Sequence, residues 1–355
     1  MCSTVGDIRS SFAGLRFEKK LRHREIANFL QISEAELIDV HVGVTKFDVL
    51  CSSPHVARAI RLTHDWQSLL EHCNHFELLT SVTRNQSVVM EQVGSYEHVA
   101  LDSGRWVVHG KGLQLRFSPH SLGYAYLFEE AGSSQVQKSI QFFDENGQGV
   151  HKAYLLPQSQ HLAFELLAKR YAQDRQLPGI SIQETNSAFE PAGKVAVHLD
   201  SADLIERWRA LQSFDQMLEL LESFHVTAAE AFEAIGASHA QEVSFETVKY
   251  LLESAAYLEL PLEISVCNEA VSMTSRRMIH RITESNGWLN VLDPGFSLRI
   301  HGMDDLRVWL VQPGSVEILS SNGESLLSVR CLASDENPGY GEWRRLFDAC
   351  QDDVN

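Results

Sequence analysis

The chain of 355 residues contains a weak internal repeat, and this repeat limits the possible folds more than any other feature. Four pairs of short segments match in the same order in both halves. They are FLQISEAELIDVHVG (29–43) with FHVTAAEAFEAIG (224–236), SVTRN (81–85) with SVCN (265–268), LQLR (113–116) with FSLR (296–299), and FFDENGQ (142–148) with ILSSNGE (318–324). The offset falls from 194 to 176 residues along the series, as small insertions and deletions in a duplicated domain would produce.

Within each half, helical patterns come first and strand patterns follow. Helical periodicity dominates residues 20–80 and 200–260, and Ser33 and Thr227 are N-cap residue types placed before the matched helices. Alternating segments such as SVVMEQVGSY and YAYLFEE come next, and the pairs Asn146-Gly147 and Asn322-Gly323 favour hairpins. The sequence therefore predicts an α+β fold with a tandem repeat, in which each half has helices followed by a large antiparallel sheet.

A change in composition near the middle of the chain marks the expected boundary between the repeats. The segment LPGISIQETNSAFEPAGK (177–194) contains Pro, Gly, Ser and Glu and lacks a clear periodicity. We expect an N-terminal repeat at 1–178, a linker at 179–198 and a C-terminal repeat at 199–355.

Charge and cysteine usage exclude several classes of function. The formal net charge is −17, and no basic run offsets it, which argues against binding to nucleic acid or to an anionic membrane surface. No segment approaches the ~20 apolar residues of a membrane helix, and the N-terminus lacks the apolar core of a signal peptide. Scattered cysteines without a C-x-x-C pair predict free thiols in the cytoplasm; they are Cys2, Cys51, Cys73, Cys267, Cys331 and Cys350.

Two polar motifs are candidates for ligand binding. HCNH at 72–75 offers His72, Cys73 and His75 to a transition metal, but without a fourth ligand a structural role is favoured. SRRMIHR at 275–281 would form a strand with Arg276 and Arg277 on opposite faces. Such arginines bind carboxylate-bearing ligands with bidentate geometry, although an exposed strand that neutralises nearby acids is the favoured alternative.

Arg116 and Arg299 occupy matching positions on apolar strands of the two repeats. An arginine that points inward from a sheet needs an anionic partner, which is either structural or a ligand, and the sequence leaves both possibilities.

The segment WRALQSFDQMLELL (208–221) has the apolar spacing of one amphipathic helix. Asp215 falls beside the apolar face, and the segment by itself predicts a hydrated carboxylate at the helix edge.

Several stretches closely resemble the HemS/ChuS/HmuS family of bacterial cytoplasmic hemin-handling proteins. They are REIANFLQISEAELIDVHVG, SVTRNQSVVMEQVGSYEHV, LQLRFSPHSLGYAYLFEE, SIQFFDENGQGVHKAYL and GWLNVLDPGFSLRI. The resemblance covers nearly the whole chain in the same order. It implies paired antiparallel sheets flanked by helices, with heme held in a cleft of the second half. Members of the family are heme carriers, heme-degrading factors, or both.

The resemblance also assigns roles to individual residues. Arg116 matches the distal arginine of the family, and alignment of Trp208 and Leu211 places Asp215 at the position of the axial histidine. An aspartate is a hard oxygen donor and rarely binds heme iron, whereas a neutral imidazole binds it well. His225, His198 and His280 are the remaining histidines considered as substitutes.

Other positions at which the family lines heme also differ. Ser118 replaces an aromatic residue, Met90 and Ser275 replace histidines, and the segments 309–315 and 326–333 lose basic and aromatic residues. The remaining candidates for polar contacts near the iron or for contacts to the propionates of heme are Arg116, Arg276 and Arg277.

Three functions follow from these observations. The leading one is a cytoplasmic carrier that binds heme or a related tetrapyrrole with altered ligation and exchanges it with a heme-transfer or redox partner protein. The second is a heme-degrading oxidoreductase with a different axial ligand. The third is a non-enzymatic homologue that has lost heme and binds another ligand or a protein. The absence of histidine at position 215 favours the third over the second.

Overall fold

The computed structural model describes residues 4–46, 55–132, 135–180, 182, 201–332 and 339–352. The helices in these ranges are α1 (Val5–Ala13), α2 (His23–Leu30), α3 (Glu34–Asp39), α4 (Trp66–Cys73), α5 (His161–Tyr171), α6 (Ser201–Arg209), α7 (Phe214–Phe224), α8 (Ala228–Ile235), α9 (Phe245–Tyr257) and α10 (Gly339–Asp352). None of the helices in the described ranges is long and apolar enough to cross a bilayer.

The strands form two nine-stranded antiparallel sheets. The strands of the first half are β1 (Ala57–Arg61), β2 (Leu79–Arg84), β3 (Val88–Gly94), β4 (His98–Asp102), β5 (Arg105–Gly110), β6 (Leu113–Phe117), β7 (Tyr124–Glu130), β8 (Gln137–Phe143) and β9 (Gly149–Leu155). Those of the second half are β10 (Ala240–Val243), β11 (Leu262–Cys267), β12 (Val271–Arg277), β13 (Ile282–Ser285), β14 (Trp288–Asp293), β15 (Phe296–His301), β16 (Arg307–Val311), β17 (Ser315–Leu319) and β18 (Ser325–Cys331). The predicted α+β class with large antiparallel sheets is confirmed.

The two repeats exchange three strands with each other. Sheet 1 has the order β1-β7-β8-β9-β2-β3-β15-β14-β13, and sheet 2 has the order β10-β16-β17-β18-β11-β12-β6-β5-β4. Strand β15 joins β3 with Leu298 opposite Met90, and β6 joins β12 with Leu115 opposite Met273. Each sheet therefore contains six strands of one repeat and three of the other. Most of the expected linker at 179–198 lies outside the described residues, and the proposed domain boundaries stay a prediction.

The sheets pack face to face around one apolar core. Phe142 and Met90 of sheet 1 meet Phe117, Met273 and Val266 of sheet 2, and all five side chains are buried. Because side chains alternate along a strand, the other face of each sheet is left for helices. A second cluster packs α6, α7 and α8 onto sheet 2 through residues such as Trp208, Phe232 and Trp309.

The helix caps and hairpins of the two repeats correspond closely. Ser33 and Thr227 each form a capping box that begins the matched helix, α3 or α8. Two residues after each cap, a backbone N–H donates to the carbonyl of a hairpin glycine. Ala35 N donates to Gly147 O at 2.9 Å, and Ala229 N donates to Gly323 O at 3.1 Å. These glycines have φ values of 73° and 85°, which few other residues tolerate. The predicted hairpins are confirmed, and the turn of each one is hydrogen-bonded to the N-terminus of a helix.

Two matched asparagines join the repeats by reciprocal hydrogen bonds. Asn85 follows β2, and its Nδ2 donates to Cys267 O and Leu326 O of the second repeat, both at 2.9 Å. Asn268 follows β11, and its Nδ2 donates to Arg84 O and Val150 O of the first repeat, also at 2.9 Å.

The side-chain oxygen of each asparagine accepts two backbone N–H groups of its own turn. The donors to Asn85 Oδ1 are Ser87 N and Val88 N, and the donors to Asn268 Oδ1 are Ala270 N and Val271 N. Each side chain thus holds the turn between two strands while it satisfies two carbonyls of the other repeat.

The prediction of one continuous helix over 208–221 is wrong. Helix α6 ends at Arg209 and α7 begins at Phe214. Ser213 caps α7 by accepting the N–H of Gln216 at 3.1 Å, and Gln216 Oε1 accepts the N–H of Gln212 at 2.8 Å. These local bonds satisfy the donors at a new helix start, so the chain changes direction although its apolar spacing continues.

We expect Asn85→Ala to lower the free energy of unfolding by about 2–4 kcal/mol, because two buried carbonyls and two N–H groups lose their partner. Urea denaturation measures the change. The matched control is Asn28→Ala on the exposed side of α2, where the change should stay within about 0.5 kcal/mol. A loss below about 1 kcal/mol for Asn85→Ala would contradict the role of this side chain.

Candidate functional site

The side of sheet 2 that carries α6, α7 and α8 is the candidate site, and we call it the outer face. Contacts with α7 identify its residues on β5, β6 and β12. Strand pairing extends the assignment to β4, β11, β17 and β18. The polar residues on it are His98, Asp102, Arg105, His109, Gln114, Arg116, Glu263, Ser265, Ser272, Thr274, Arg276, Glu317, Ser328 and Arg330. Its first-repeat strands reach the site only through the strand exchange.

Asp215 points from the first turn of α7 onto this face and is buried, with 7% of its surface exposed. Ser272 Oγ donates to Asp215 Oδ1 at 2.6 Å, and Gln114 Nε2 donates to Oδ2 at 3.3 Å. Burial raises the pKa of this carboxyl, while the Ser272 hydrogen bond and the nearby Arg116 oppose the rise. The prediction of a hydrated edge residue is therefore wrong, because the partners lie on strands distant in sequence.

Asp215, Glu219 and Glu222 form a row along α7, which we call the acidic row. Glu219 Oε1 accepts from Arg116 Nη2 at 2.6 Å, and Glu222 Oε2 accepts from Arg105 Nη2 at 2.5 Å. The spacing of four and then three residues puts the row on one side of the helix. These ion pairs hold α7 against β5 and β6.

Arg116 has anionic partners within the chain. Besides Glu219, its Nη2 donates to Asp102 Oδ2 at 3.2 Å, and its Nε lies 3.9 Å from Asp215 Oδ2. This Nε atom is buried and has no hydrogen-bond partner among the described residues. Carboxylates of the chain itself therefore balance the charge of the Arg116 guanidinium, while its Nε–H keeps no hydrogen-bond partner among the described residues.

A second charged group lies where β11, β12 and β18 meet. Glu263 is buried, and it accepts from Arg276 Nε at 2.8 Å and from Arg330 Nε at 2.7 Å. Two guanidiniums therefore share one carboxylate, which leaves a net positive charge. The Arg276 side chain is 57% exposed and remains accessible to an anion.

Arg277 and Arg299 do not lie on the outer face. Strand β12 ends at Arg277, so only the first three residues of the segment 275–281 belong to a strand. Arg277 donates to Gln92 Oε1 at 3.1 Å and stacks 4.2 Å from the centre of the Phe296 ring, next to strands of sheet 1. Arg299 lies on β15 of sheet 1.

Of the histidines considered as substitute ligands, His225 and His280 make no contact with Asp215. His225 is exposed and ends α7 in a left-handed conformation, ten residues and so about 15 Å along the helix axis from Asp215. His280 is exposed after β12, with Nδ1 3.6 Å from Asp293 Oδ1. His198 lies outside the described residues.

The HCNH motif has structural contacts. His72 donates from Nε2 to Ala163 O at 2.9 Å, and Cys73 is fully buried, which raises the pKa of its thiol. In the described ranges, no group of three or more His, Cys, Asp and Glu residues is arranged to hold a metal ion.

Sequence reasoning missed most of the polar partners on the outer face. Helical spacing from Asp215 would have indicated Glu219 and Glu222, and strand alternation from Arg116 would have indicated Gln114. No local signal pointed to Ser272 or Glu263, since their roles depend on pairing between distant strands.

Glu317 is the deepest carboxyl of the outer face. Ser328 Oγ donates to its Oε1 at 2.7 Å, and Oε2 has no partner within the described part of the chain. Burial raises the pKa of Glu317 from 4.5 to about 7.

We expect Glu317→Gln to change how stability depends on pH. The raised pKa means that the folded protein binds this proton more tightly, so the contribution of Glu317 to stability is greatest below pH 4.5 and falls by about 3 kcal/mol as the pH rises through 7. The variant should lack this fall, so relative to the wild type it gains stability between pH 4 and pH 8 in chemical denaturation. Glu253→Gln on the exposed side of α9 is the control. Parallel pH profiles for wild type and Glu317→Gln would contradict the assignment.

Comparison with known proteins identifies the family to which the chain belongs. The chain is 27% identical over 331 residues to the hemin transport protein HmuS of Yersinia pestis, covering 90% of each chain. The structure matches holo-PhuS, a heme-binding protein from Pseudomonas aeruginosa, with a TM-score of 0.85 at 26% identity, covering 98% of this chain and 99% of PhuS.

The heme-degrading enzyme ChuS of Escherichia coli O157:H7 shares the fold, with a TM-score of 0.79 at 20% identity, covering 98% of this chain and 99% of ChuS. A family model described as the haemin-degrading HemS.ChuX domain matches residues 31–171 and 225–347, once in each repeat. The chain therefore belongs to the HemS/ChuX family.

Proposed function

We propose that this chain is a heme-handling protein that binds heme or a related tetrapyrrole on the outer face of sheet 2, beside α7. The observation that carries the proposal is the likeness to holo-PhuS over 98% of the chain. The position of Arg116 supports it, because this arginine lies on the same face as Asp215 and keeps a buried N–H without a partner.

The mode of iron ligation differs from that implied for the family. Both carboxylate oxygens of Asp215 accept hydrogen bonds, from Ser272 and from Gln114. An aspartate is also a rare ligand of heme iron. We therefore assign no iron bond to Asp215, and the proposal is heme binding with altered ligation.

The charge distribution orients the ligand on this face. The acidic row and Asp102 surround Arg116, so they would repel the propionates of heme from that side. Arg276 and Arg330 share only Glu263, and Arg276 is exposed. The propionates would therefore lie toward Arg276, whose guanidinium matches a carboxylate in geometry.

The proposal includes a cytoplasmic location and a partner protein that delivers or receives heme. The free thiols of Cys73 and Cys267 fit a reducing compartment. A carrier also needs a partner to which it transfers its cargo.

A second candidate function is a homologue that has lost heme. The observation that favours it is the set of ion pairs from Glu219 and Glu222 that holds α7 against sheet 2. With these contacts in place, the face is closed to a porphyrin and the scaffold serves another ligand or a protein.

Titration of the apo-protein with hemin distinguishes the two functions. We expect a saturable Soret shift and a rise in thermal stability with hemin, because selective binding stabilises the folded state. Absorbance identical to that of free hemin, with no change in melting temperature, would reject heme binding and favour the second function.

A substitution at position 215 tests whether α7 borders the heme. Asp215→His should bind hemin about tenfold more tightly than wild type, a gain of about 1.4 kcal/mol, because it adds an imidazole on α7 that can bind the iron. Asp215→Asn is the matched control. It should not gain affinity for hemin, because its side chain supplies no imidazole. If both variants bind hemin as the wild type does, the ligand lies elsewhere.

A further inference from the structure

His98 and His109 form a pair at the edge of sheet 2. They lie directly opposite each other on β4 and β5, and their rings are 6.2 Å apart and nearly parallel, with an angle of 16°. Both side chains are exposed. Among the described strands of sheet 2, these two strands alone contain histidine.

Neighbouring contacts show that both histidines belong to the outer face. Arg105 on β5 contacts Glu222 of α7, and Asp102 on β4 contacts Arg116. His109 is four residues after Arg105 and His98 is four residues before Asp102, so strand alternation places them on the same side.

His109 is next to the groups that surround Asp215. It lies opposite Gln114 in the β5–β6 register, and the Gln114 amide donates to Asp215. Directly opposed side chains on neighbouring strands start about 5 Å apart. His109 therefore borders the region where the resemblance implies an axial ligand, but it extends from the sheet instead of the helix.

The distance from His109 to Arg276 suits a porphyrin. Gln114 and Thr274 continue the same row across β6 and β12, and Arg276 lies two residues further along β12. Two strand spacings and two residues of rise give about 12 Å between the Cα atoms of His109 and Arg276. Heme bonded through its iron to His109 would direct its propionates to Arg276.

We propose that His109 supplies the imidazole ligand of heme iron in this protein, with His98 stacked beside it to orient the ring. This inference rests on the proposed heme binding. The chemistry is a coordinate bond from a neutral ring nitrogen to iron, and it requires no change in oxidation state. Asp215 then has no role at the iron, and its hydrogen bonds to Ser272 and Gln114 attach α7 to the sheet.

Hemin titration of His109→Ala tests the proposal beside the wild type and the double variant with His98→Ala. We expect the wild type to show an imidazole-ligated ferric spectrum. His109→Ala should lose that spectrum and bind hemin at least about tenfold more weakly, a loss of about 1.4 kcal/mol. Added free imidazole should restore the spectrum in His109→Ala, and its melting temperature without hemin should match that of the wild type because the side chain is exposed.

Two exposed histidines serve as matched controls. His280→Ala and His225→Asn, which keeps a residue that tolerates the left-handed conformation, should bind hemin as the wild type does. If the wild type binds hemin and His109→Ala keeps its affinity and spectrum, the ligand assignment is wrong and heme binding stands. If the wild type gives no saturable shift, the proposed function itself fails.

Discussion

The reciprocal hydrogen bonds of Asn85 and Asn268 are the contacts on which the arrangement of the two repeats depends. Each amide donates to two carbonyls of the other repeat while its oxygen holds its own turn. The turns lie at the ends of β2 and β11, where the chain passes to β3 and β12. Those two strands in turn pair with strands of the other repeat. The asparagines therefore fix the point where the sheets exchange strands, and the outer face of sheet 2 contains residues of both repeats.

The two repeats use this architecture for different charge arrangements. In the first repeat, buried Glu34 pairs with Arg84 and Lys152, and Glu130 pairs with Arg16 and His23. Burial lowers the pKa of Lys152 and of His23. These contacts satisfy the carboxylates of Glu34 and Glu130 with partners from the first repeat itself.

The outer face of sheet 2 contains charged residues that are not fully paired. Glu317 and Arg116 each keep a buried polar atom without a partner among the described residues, and Arg276 is largely exposed. An unpartnered buried group costs free energy that a ligand can recover by supplying the missing hydrogen bond. Under the proposed function, heme on the outer face would recover part of this free energy.

The sequence was sufficient to predict the duplication, the helices before strands, and the hairpins at Asn146-Gly147 and Asn322-Gly323. These features depend on residues close together in the chain, such as the capping residues Ser33 and Thr227. The strand exchange was not predictable from these patterns, because the order of the matched segments is the same whether β6 pairs within its own repeat or with β12. Pairing between distant strands is set by the packed core, which local periodicity does not encode.

At the candidate site too, features that depend on nearby residues could be predicted, and contacts between distant strands could not. Family resemblance pointed to Arg116 and Asp215, and the structure brings them to 3.9 Å from each other. The burial of Asp215 was missed because Ser272 and Gln114, its partners, lie 57 and 101 residues away in the chain. The break before α7 was missed because Ser213 caps the helix without interrupting the apolar spacing.

The strand exchange has a consequence for how such a protein can change during evolution. Gln114 and Arg116 are encoded in the first repeat, yet they act on the outer face beside Asp215 of the second. A substitution on β6 of the first repeat therefore changes the outer face of sheet 2, which otherwise consists mainly of second-repeat residues. Substitutions at positions 114 and 215 therefore act on one contact, although the two residues are 101 positions apart in the chain.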